Sequence, residues 1–277
     1  SAVFAGASVG NYQLIEVVNR SGQIGDWPET LSSMSVRYGQ HADFLGSGGF
    51  GEVWKAVDKI TGREVAIKFF HTRNEVGKKV YLSWETGLRR KDLVAASLEC
   101  DVQQALRKSA MIDPAGAAHV AFCIENHIKP ADARSSQLAY LVMEPGGAEV
   151  QDLVKLYSEK NPTELGTIFY REVRSIIVQV AQALRYLQTF DPPFIHHDLK
   201  PQNAIYKFSQ STGEISVKLI DFGAVMLGQA DYMKRGYTYT EKYRPPECIR
   251  NSVAFSAPWW SFDMYSLGVM YMELLCP

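Results

Sequence analysis

Net charge is almost absent from this 277-residue chain: 29 Lys and Arg stand against 30 Asp and Glu, a formal balance of −1. A nucleic-acid binder ordinarily carries a basic excess, so that class loses ground and no nucleic-acid partner is expected. Cysteine is scarce as well. Cys100, Cys123, Cys248 and Cys276 are scattered, with no C-x-x-C spacing. That argues against a zinc site or a disulfide scaffold and predicts four reduced, mostly buried thiols of an intracellular protein. No run of 18 apolar residues exists, and the apolar stretch near the end is broken by Glu273, so no membrane span is expected. Residues 1–8 are small and apolar but lack a basic lead-in, which makes a poor signal peptide. The chain opens on Ser1 rather than Met, so a trimmed start is expected, with room for a targeting segment before it. Internal repeats and low-complexity tracts are missing too.

What is present is ordinary for a folded protein. The 46% hydrophobic and 21% charged fractions leave disorder without support, and 13 Phe, 14 Tyr and 5 Trp can fill a sizeable core. The length suits about two domains, or one domain with two lobes.

Residues 1–42 hold one strand-like run, 12–18, and then a polar stretch; they read as an N-terminal extension. From 43 to 144 strand signals dominate. Alternating 51–57 and apolar 64–70 flank a turn with Gly62. A polar, basic segment, 71–90, reads as a loop or short helix. Leu93, Leu98, Val102 and Leu106 then predict an amphipathic helix over 91–109. Two more strands are expected at 119–124 and 138–143. Residues 144–147, Glu-Pro-Gly-Gly, punctuate the chain as a hinge. From 145 to 277 helical periodicity prevails, at 150–157, 168–187 and 265–275, around short strands at 203–208 and 216–220. A strand-rich front and a helix-rich rear predict a two-lobed α+β fold.

Three groups of residues carry chemistry. Gly46, Ser47, Gly48, Gly49, Phe50 and Gly51 lie between two strands. Glycines let backbone N–H groups approach phosphate oxygens, although such a stretch is equally a tight turn. No helix follows them, which disfavours a dinucleotide-binding domain. Lys68 sits inside an apolar strand, where a lysine ordinarily snorkels to solvent; after the glycines it can instead reach nucleotide phosphates. Glu99 is the candidate carboxylate that holds it. The third group is His196, His197, Asp198, Lys200 and Asn203, followed by Asp221, Phe222 and Gly223. They offer three oxygen ligands or bases and one cation around a hairpin. Phosphoryl transfer needs a carboxylate to orient the attacking hydroxyl, a cation to neutralise moving charge, and oxygen ligands for Mg²⁺ on the nucleotide.

From Asp43 onward the sequence resembles the eukaryotic protein kinases. The resemblance implies ATP and Mg²⁺ as cofactors and a glycine-rich lid at Leu45, Gly46, Ser47, Gly48, Gly49, Phe50, Gly51 and Val53. It further implies that Ala66, Met143, Glu144, Gly146 and Ile205 line the adenine site, with Met143 guarding its back, and that Lys68 binds phosphate. Asp198 matches the catalytic base, and Asn203 and Asp221 match the metal ligands. Residues 243–247 match the end of the activation segment, and Asp263 matches the helix aspartate that braces the catalytic loop. Lys200 and Thr240 resemble their counterparts in serine/threonine rather than tyrosine kinases. The expected activity is therefore phosphorylation of protein serine and threonine. Residues 261–277 look like the chloroplast thylakoid kinases of state transitions, with apicomplexan and other algal kinases as the alternatives. The thylakoid resemblance implies light-harvesting, membrane-associated substrates and a chloroplast location, a cytoplasmic one being the alternative.

Three departures stand out. His197 replaces the usual arginine; with an ordinary pKa near 6.5 a histidine there carries little charge at about pH 7.5. Gln103, four residues after Glu99, takes a place usually apolar. The sequence also stops at Pro277, so the rear lobe is expected to lack its last helices and the arginine partner of Glu247, and to lose stability with the surface they would bury. The rival readings are a pseudokinase scaffold that binds nucleotide or partners without transfer, and a small-molecule kinase. Lysine, base and both metal ligands oppose the first; Thr240 and the 243–247 segment oppose the second.

Overall fold

Alternation decides the centre of the front sheet. In the strand Glu64–Arg73, Val65, Ile67 and Phe69 are buried on one face, and Ala66 and Phe70 on the other. A strand covered on both faces belongs inside a sheet. The computed structural model describes residues 8–9, 12–14, 44–48, 51–58, 61–73, 76–77, 79–82, 90–128, 139–159, 162–209, 212, 214–227, 240–248 and 261–277. They divide into two compact units: Ser1–Gln104 with Phe122–Gly146, and Ala105–Ala121 with Gly147–Pro277.

Among the described residues the first unit has eight strands. They are β1 (Ser8–Val9), β2 (Tyr12–Leu14), β3 (Phe44–Gly48), β4 (Gly51–Asp58), β5 (Glu64–Arg73), β6 (Lys79–Tyr81), β7 (Cys123–His127) and β8 (Tyr140–Met143). Their order is β1-β2-β4-β5-β8-β7, with β3 on β4 and β6 on β5. A strand from the first 42 residues thus enters the sheet, Tyr12 opposite Asp58. The turn before β5 forms as expected: Gly62 adopts φ +68°, and its N–H donates to the Asp58 carbonyl at 2.7 Å. The polar segment after Phe70 differs from expectation. β5 runs on to Arg73 and pairs with β6, because His71 is buried and the ladder outlasts the apolar run.

Helix α1 (Arg90–Lys108) lays Leu93, Ala96, Cys100 and Gln103 inward at helical spacing. Leu93, Ala96 and Cys100 share a core cluster with Phe70, Cys123 and Leu141. Cys100 and Cys123 are disulfide-bonded, Cα to Cα 5.2 Å. This corrects the expectation of four free thiols. Spacing rules read local pairs, whereas a helix packed on a strand brings together cysteines 23 residues apart. Closing a loop of this size removes about 3 kcal/mol of chain entropy from the unfolded state. Cys248 keeps a buried thiol and Cys276 an exposed one.

The second unit holds α2 (Pro114–Ala117), β9 (Ala148–Glu149), α3 (Val150–Ser158), α4 (Pro162–Gln188), β10 (Phe194–Ile195), β11 (Ala204–Phe208), β12 (Ile215–Leu219), β13 (Met226–Leu227) and α5 (Ser261–Leu275). α4 is interrupted at Gly166, φ +53° and ψ −166°, and its longer part buries Val173, Ile176, Val180, Ala183, Leu184 and Leu187 along one stripe. The strand expected at 119–124 is split. Val120 bridges Leu219 of β12 in this unit, and the regular strand starts only at Cys123 in the other. α2 is pinned to α4: Arg185 donates from Nε and Nη2 to both Asp113 oxygens at 3.0 and 2.8 Å. A Cβ on Gly116 would meet the Gln182 carbonyl oxygen at 2.6 Å, so only glycine permits this approach. No helix among the described residues is long and apolar enough to cross a membrane.

Candidate functional site

In the second unit two hairpin-like pairings gather the chemistry at one end. β11 and β12 run antiparallel with Ala204 opposite Leu219. Asn203 precedes the first and Ile220 follows the second, and the Ile220 N–H donates to the Asn203 carbonyl at 2.9 Å. Asn203 and Asp221 therefore flank the open end of one hairpin. β10 pairs with β13, Ile195 opposite Met226. That pairing returns the loop 196–203 to the segment that carries Asp221.

The loop is braced from α5. Buried Asp263 accepts the His196 N–H at 2.7 Å on one oxygen and the His197 N–H at 2.9 Å on the other. Burial pushes the Asp263 carboxyl up, opposed by His196 and by these two N–H groups. The brace holds an unusual backbone: His197 adopts φ +67°, a left-handed conformation uncommon outside glycine. Its ring stacks on Phe262, centroids 4.2 Å apart. Nε2 of His196 lies 3.0 Å from the Ile220 carbonyl, which can only accept, so that nitrogen carries the proton. The His196 ring also packs against Phe222.

Asp198, immediately after this turn, is held on every side. Lys200 Nζ donates to its Oδ2 at 2.6 Å and to Thr240 Oγ1 at 3.0 Å, and Thr240 Oγ1 donates to Asp198 Oδ1 at 2.8 Å. The three side chains close a ring. Asn203 Nδ2 adds bonds to the Asp198 carbonyl at 2.8 Å and to Oδ2 at 3.2 Å. Thr240 owes its place to the turn Glu241–Tyr243 and to α5. Glu273 accepts from Lys242 at 2.7 Å and from the Tyr243 hydroxyl at 2.5 Å, and Ser266 Oγ donates to the Tyr243 carbonyl at 2.8 Å.

The donor set suits Mg²⁺. With Asn203 Nδ2 turned to Asp198, its amide oxygen is the atom left to ligate. Asp221 is exposed in a left-handed conformation, φ +62°, and among the described residues accepts a long bond, 3.4 Å, from the Gly223 N–H. Two hard oxygen donors match a cation that takes its remaining ligands from phosphates and water. No cluster of three or more His, Cys, Asp and Glu that would make an all-protein metal cage occurs among the described residues.

The first unit carries the rest. Lys68 is half-buried on β5, opposite Val53 on one side and Leu141 on the other; Ala66 stands opposite Met143. Lys68 shares its face with Phe70 and has Leu141 beside it, both members of the cluster that α1 covers. The lysine thus lies on the α1 side of the sheet, Nζ 5.6 Å from the Phe70 ring centroid. Gln103 is 5% exposed and directs its amide at Glu99 Oε1, 3.4 Å away. A glutamine fills an apolar place here because the carboxylate one turn earlier gives it a partner. The Glu144 N–H donates to the Phe122 carbonyl at 3.0 Å; Glu144 and Gly146 are partly buried. Leu45, Gly46, Ser47 and Gly48 lie in β3, paired with β4 through Gly46 opposite Val53 and Gly48 opposite Gly51. Gly49 and Phe50 lie outside the described residues. In the second unit Ile205 is buried opposite Glu149.

The sequence marks Gly147 as part of a hinge, and the structure gives it a second role. A Cβ there would overlap the Tyr206 carbonyl, its carbon at 2.8 Å, so glycine is what lets β9 reach β11. Its position in a Gly-Gly pair just before a helix was the available signal.

Comparison with known proteins fits this geometry. Residues 40–277 match the family described as protein kinase domain. Tousled-like 1, a serine/threonine-protein kinase of Caenorhabditis elegans, is 29% identical over 245 residues, 84% of this chain and 22% of that protein. The human tousled-like 1 is 30% identical over 246 residues, 83% of this chain and 27% of its own length. The serine/threonine-protein kinase dkf-2 of Caenorhabditis briggsae is 27% identical over 277 residues, 99% of this chain and 20% of that protein. The chain thus spans between a fifth and little more than a quarter of the length of these three relatives. A crystal structure of another kinase domain superposes with TM-score 0.55 at 19% identity, covering 84% of this chain and 62% of the other. The relatives named here are not of the thylakoid type.

Proposed function

We propose that this chain, which belongs to the protein kinase domain family, transfers the γ-phosphoryl group of ATP to serine and threonine hydroxyls of a protein. The observation that carries the reading is the closed ring of Asp198, Lys200 and Thr240. Asp198 Oδ1 keeps a lone pair for the incoming hydroxyl, orients it and takes its proton as the new P–O bond forms. Lys200, fixed by two oxygens, sets a positive charge beside the oxygen that attacks. Thr240 gives that cation its second anchor, and its presence with Lys200 supports serine and threonine as acceptors. Asn203 and Asp221 would hold Mg²⁺, whose charge, when bound, neutralises the phosphate oxygens. Lys68 binds phosphate, with Ala66 and Met143 beside it for the base.

Light-harvesting proteins as substrates, and the chloroplast as compartment, rest on the sequence of 261–277 alone. They are tested by incubating the enzyme and labelled ATP with thylakoid membranes. The general reading is tested by Asp198→Asn and Asp221→Asn, each expected to lower kcat at least about a hundredfold while the fold survives, because positioning and charge stabilisation carry this reaction. Lys68→Met is expected to weaken ATP use with little change in Tm. Full activity in Asp198→Asn or Asp221→Asn overturns the proposal.

A further inference from the structure

The disulfide Cys100–Cys123 is buried where α1 meets the sheet. Both residues are 1% exposed, inside an apolar cluster with Phe70, Leu93, Ala96 and Leu141 that already joins α1 to the sheet. Polar contacts flank it on the same seam. Asn126 Nδ2 donates to the Ser97 carbonyl, Ser97 Oγ and Asp101 Oδ1 at 3.2, 2.9 and 3.0 Å. Gln104 Nε2 donates to the Ile124 carbonyl at 3.1 Å. The cross-link thus occupies the middle of a registered contact between α1 and β7. On the helix it follows Glu99 directly. On the sheet Cys123 stands opposite Met143, which stands opposite Ala66 of the strand that carries Lys68.

We propose that this disulfide is a positioning element for phosphoryl transfer, holding α1, and with it Glu99, in register on the face of the sheet that presents Lys68. The proposal rests on the kinase reading above. Free of the cross-link, a helix can slide or tilt on an apolar seam at small cost; joined to β7 at its middle, it cannot. The oxidised chain is therefore the form with the tighter nucleotide site.

The chemistry balances with ordinary thiol reagents. A thiolate of one cysteine attacks a low-molecular-weight disulfide such as oxidised glutathione, releasing one reduced thiol. The second cysteine, deprotonated, then displaces the other thiol from the mixed disulfide. Two protons and two electrons leave the protein, and two reduced thiols are the product. A dithiol runs the sequence backwards and departs as its own disulfide. Because both cysteines are buried, exchange needs α1 to lift locally from β7. Nucleotide that favours the docked helix must then slow the reduction, since coupling between two sites is reciprocal.

The test uses the full chain, oxidised with glutathione disulfide or reduced with dithiothreitol, beside Cys100→Ser/Cys123→Ser. We expect the linked peptide by non-reducing mass spectrometry in the oxidised form. Reduction should raise the Kd of a fluorescent ATP analogue and the KM for ATP by about tenfold, within the usual range of intramolecular coupling. Reoxidation should restore both. The double variant should behave as the reduced protein under either treatment, and saturating ATP should slow reduction of the wild type several-fold. If only Tm falls on reduction while Kd, KM and the reduction rate ignore redox state and nucleotide, the disulfide is merely structural and the proposal fails. Absence of the linked peptide also overturns it. Should the variant not fold, reduction of the wild type gives the same readings. An oxidised chain that binds the analogue in a redox-dependent way yet transfers no phosphate refutes the kinase reading and leaves the positioning role standing.

Discussion

Asp263→Asn separates the brace from everything it supports. Each carboxylate oxygen accepts one N–H, from His196 at 2.7 Å and from His197 at 2.9 Å, and the residue is only 3% exposed. An amide keeps one acceptor and turns an NH₂ towards the other N–H, so one bond is replaced by a buried donor facing a donor. Hydrogen bonds to a charged group contribute about 1.5–3 kcal/mol, and an orphaned buried donor costs about 1–3 kcal/mol. Neutralising a carboxyl that burial already disfavours as an anion offsets part of this. The expected loss is about 2 kcal/mol, or roughly 4–8 °C in Tm for a protein of this size. The rate should fall further than the stability suggests, because the same bond holds the left-handed turn at His197 that sets Asp198. Urea unfolding gives the first quantity and steady-state kcat the second. Ser266→Ala is the control: it removes a hydroxyl bonded to the Tyr243 and Phe262 carbonyls and should cost about 1 kcal/mol. An Asp263→Asn enzyme within about 0.5 kcal/mol of wild type, with unchanged kcat, would refute the argument that the brace sets the loop.

Gly147→Ala should destabilise by about 1–3 kcal/mol, since its Cβ would overlap the Tyr206 carbonyl and push β9 off β11; denaturant midpoints measure it. With His197 stacked on Phe262 where kinases usually carry arginine, no permanent cation there demands a phosphate. Enzyme produced with a phosphatase, its 228–239 segment verified unmodified by mass spectrometry, should retain substantial activity; activity that appears only after phosphorylation contradicts this. Burial holds Tyr140 and Tyr186 up to about 12, against an ordinary value near 10. Their contribution is complete below pH 10 and disappears as pH rises through 12. Stability should therefore fall over that interval, and less steeply in Tyr186→Phe; equal falls in both proteins would show that Tyr186 has no part in it.

The legible part of this protein was its local chemistry. Asp198, Lys200 and Asn203 announce themselves by residue type and order and meet within one short loop; Thr240 joins them through its side-chain bonds to Asp198 and Lys200. Elements with strong periodicity, such as Glu64–Arg73 and Arg90–Lys108, were visible within a few residues of their ends. What escaped depends on partners distant in sequence. Cys100 and Cys123 are joined only once α1 packs on β7. Asp113 and Arg185 stand 72 residues apart, and no spacing rule relates them. Val120 belongs with β12 because Leu219 reaches it, not because its neighbours alternate. Gln103 stands out in the sequence as a polar residue in a place usually apolar, but its bond to Glu99 one turn back is visible only in the packed helix.

Ala105–Ala121 groups with residues that begin at Gly147, although 25 residues of the other unit, Phe122–Gly146, intervene. A cut at 146/147 therefore cannot release the second unit whole. In that fragment the Leu219 N–H loses the His119 carbonyl, its 2.8 Å partner, and the Leu219 carbonyl loses the Ala121 N–H at 2.9 Å. β12 would then present a raw sheet edge, and α4 would expose the groove now filled by Gly116. Bare edges recruit strands from neighbouring molecules, so such a fragment should aggregate as it emerges. A fragment that begins before Ala105 avoids this, because it carries its own edge cover.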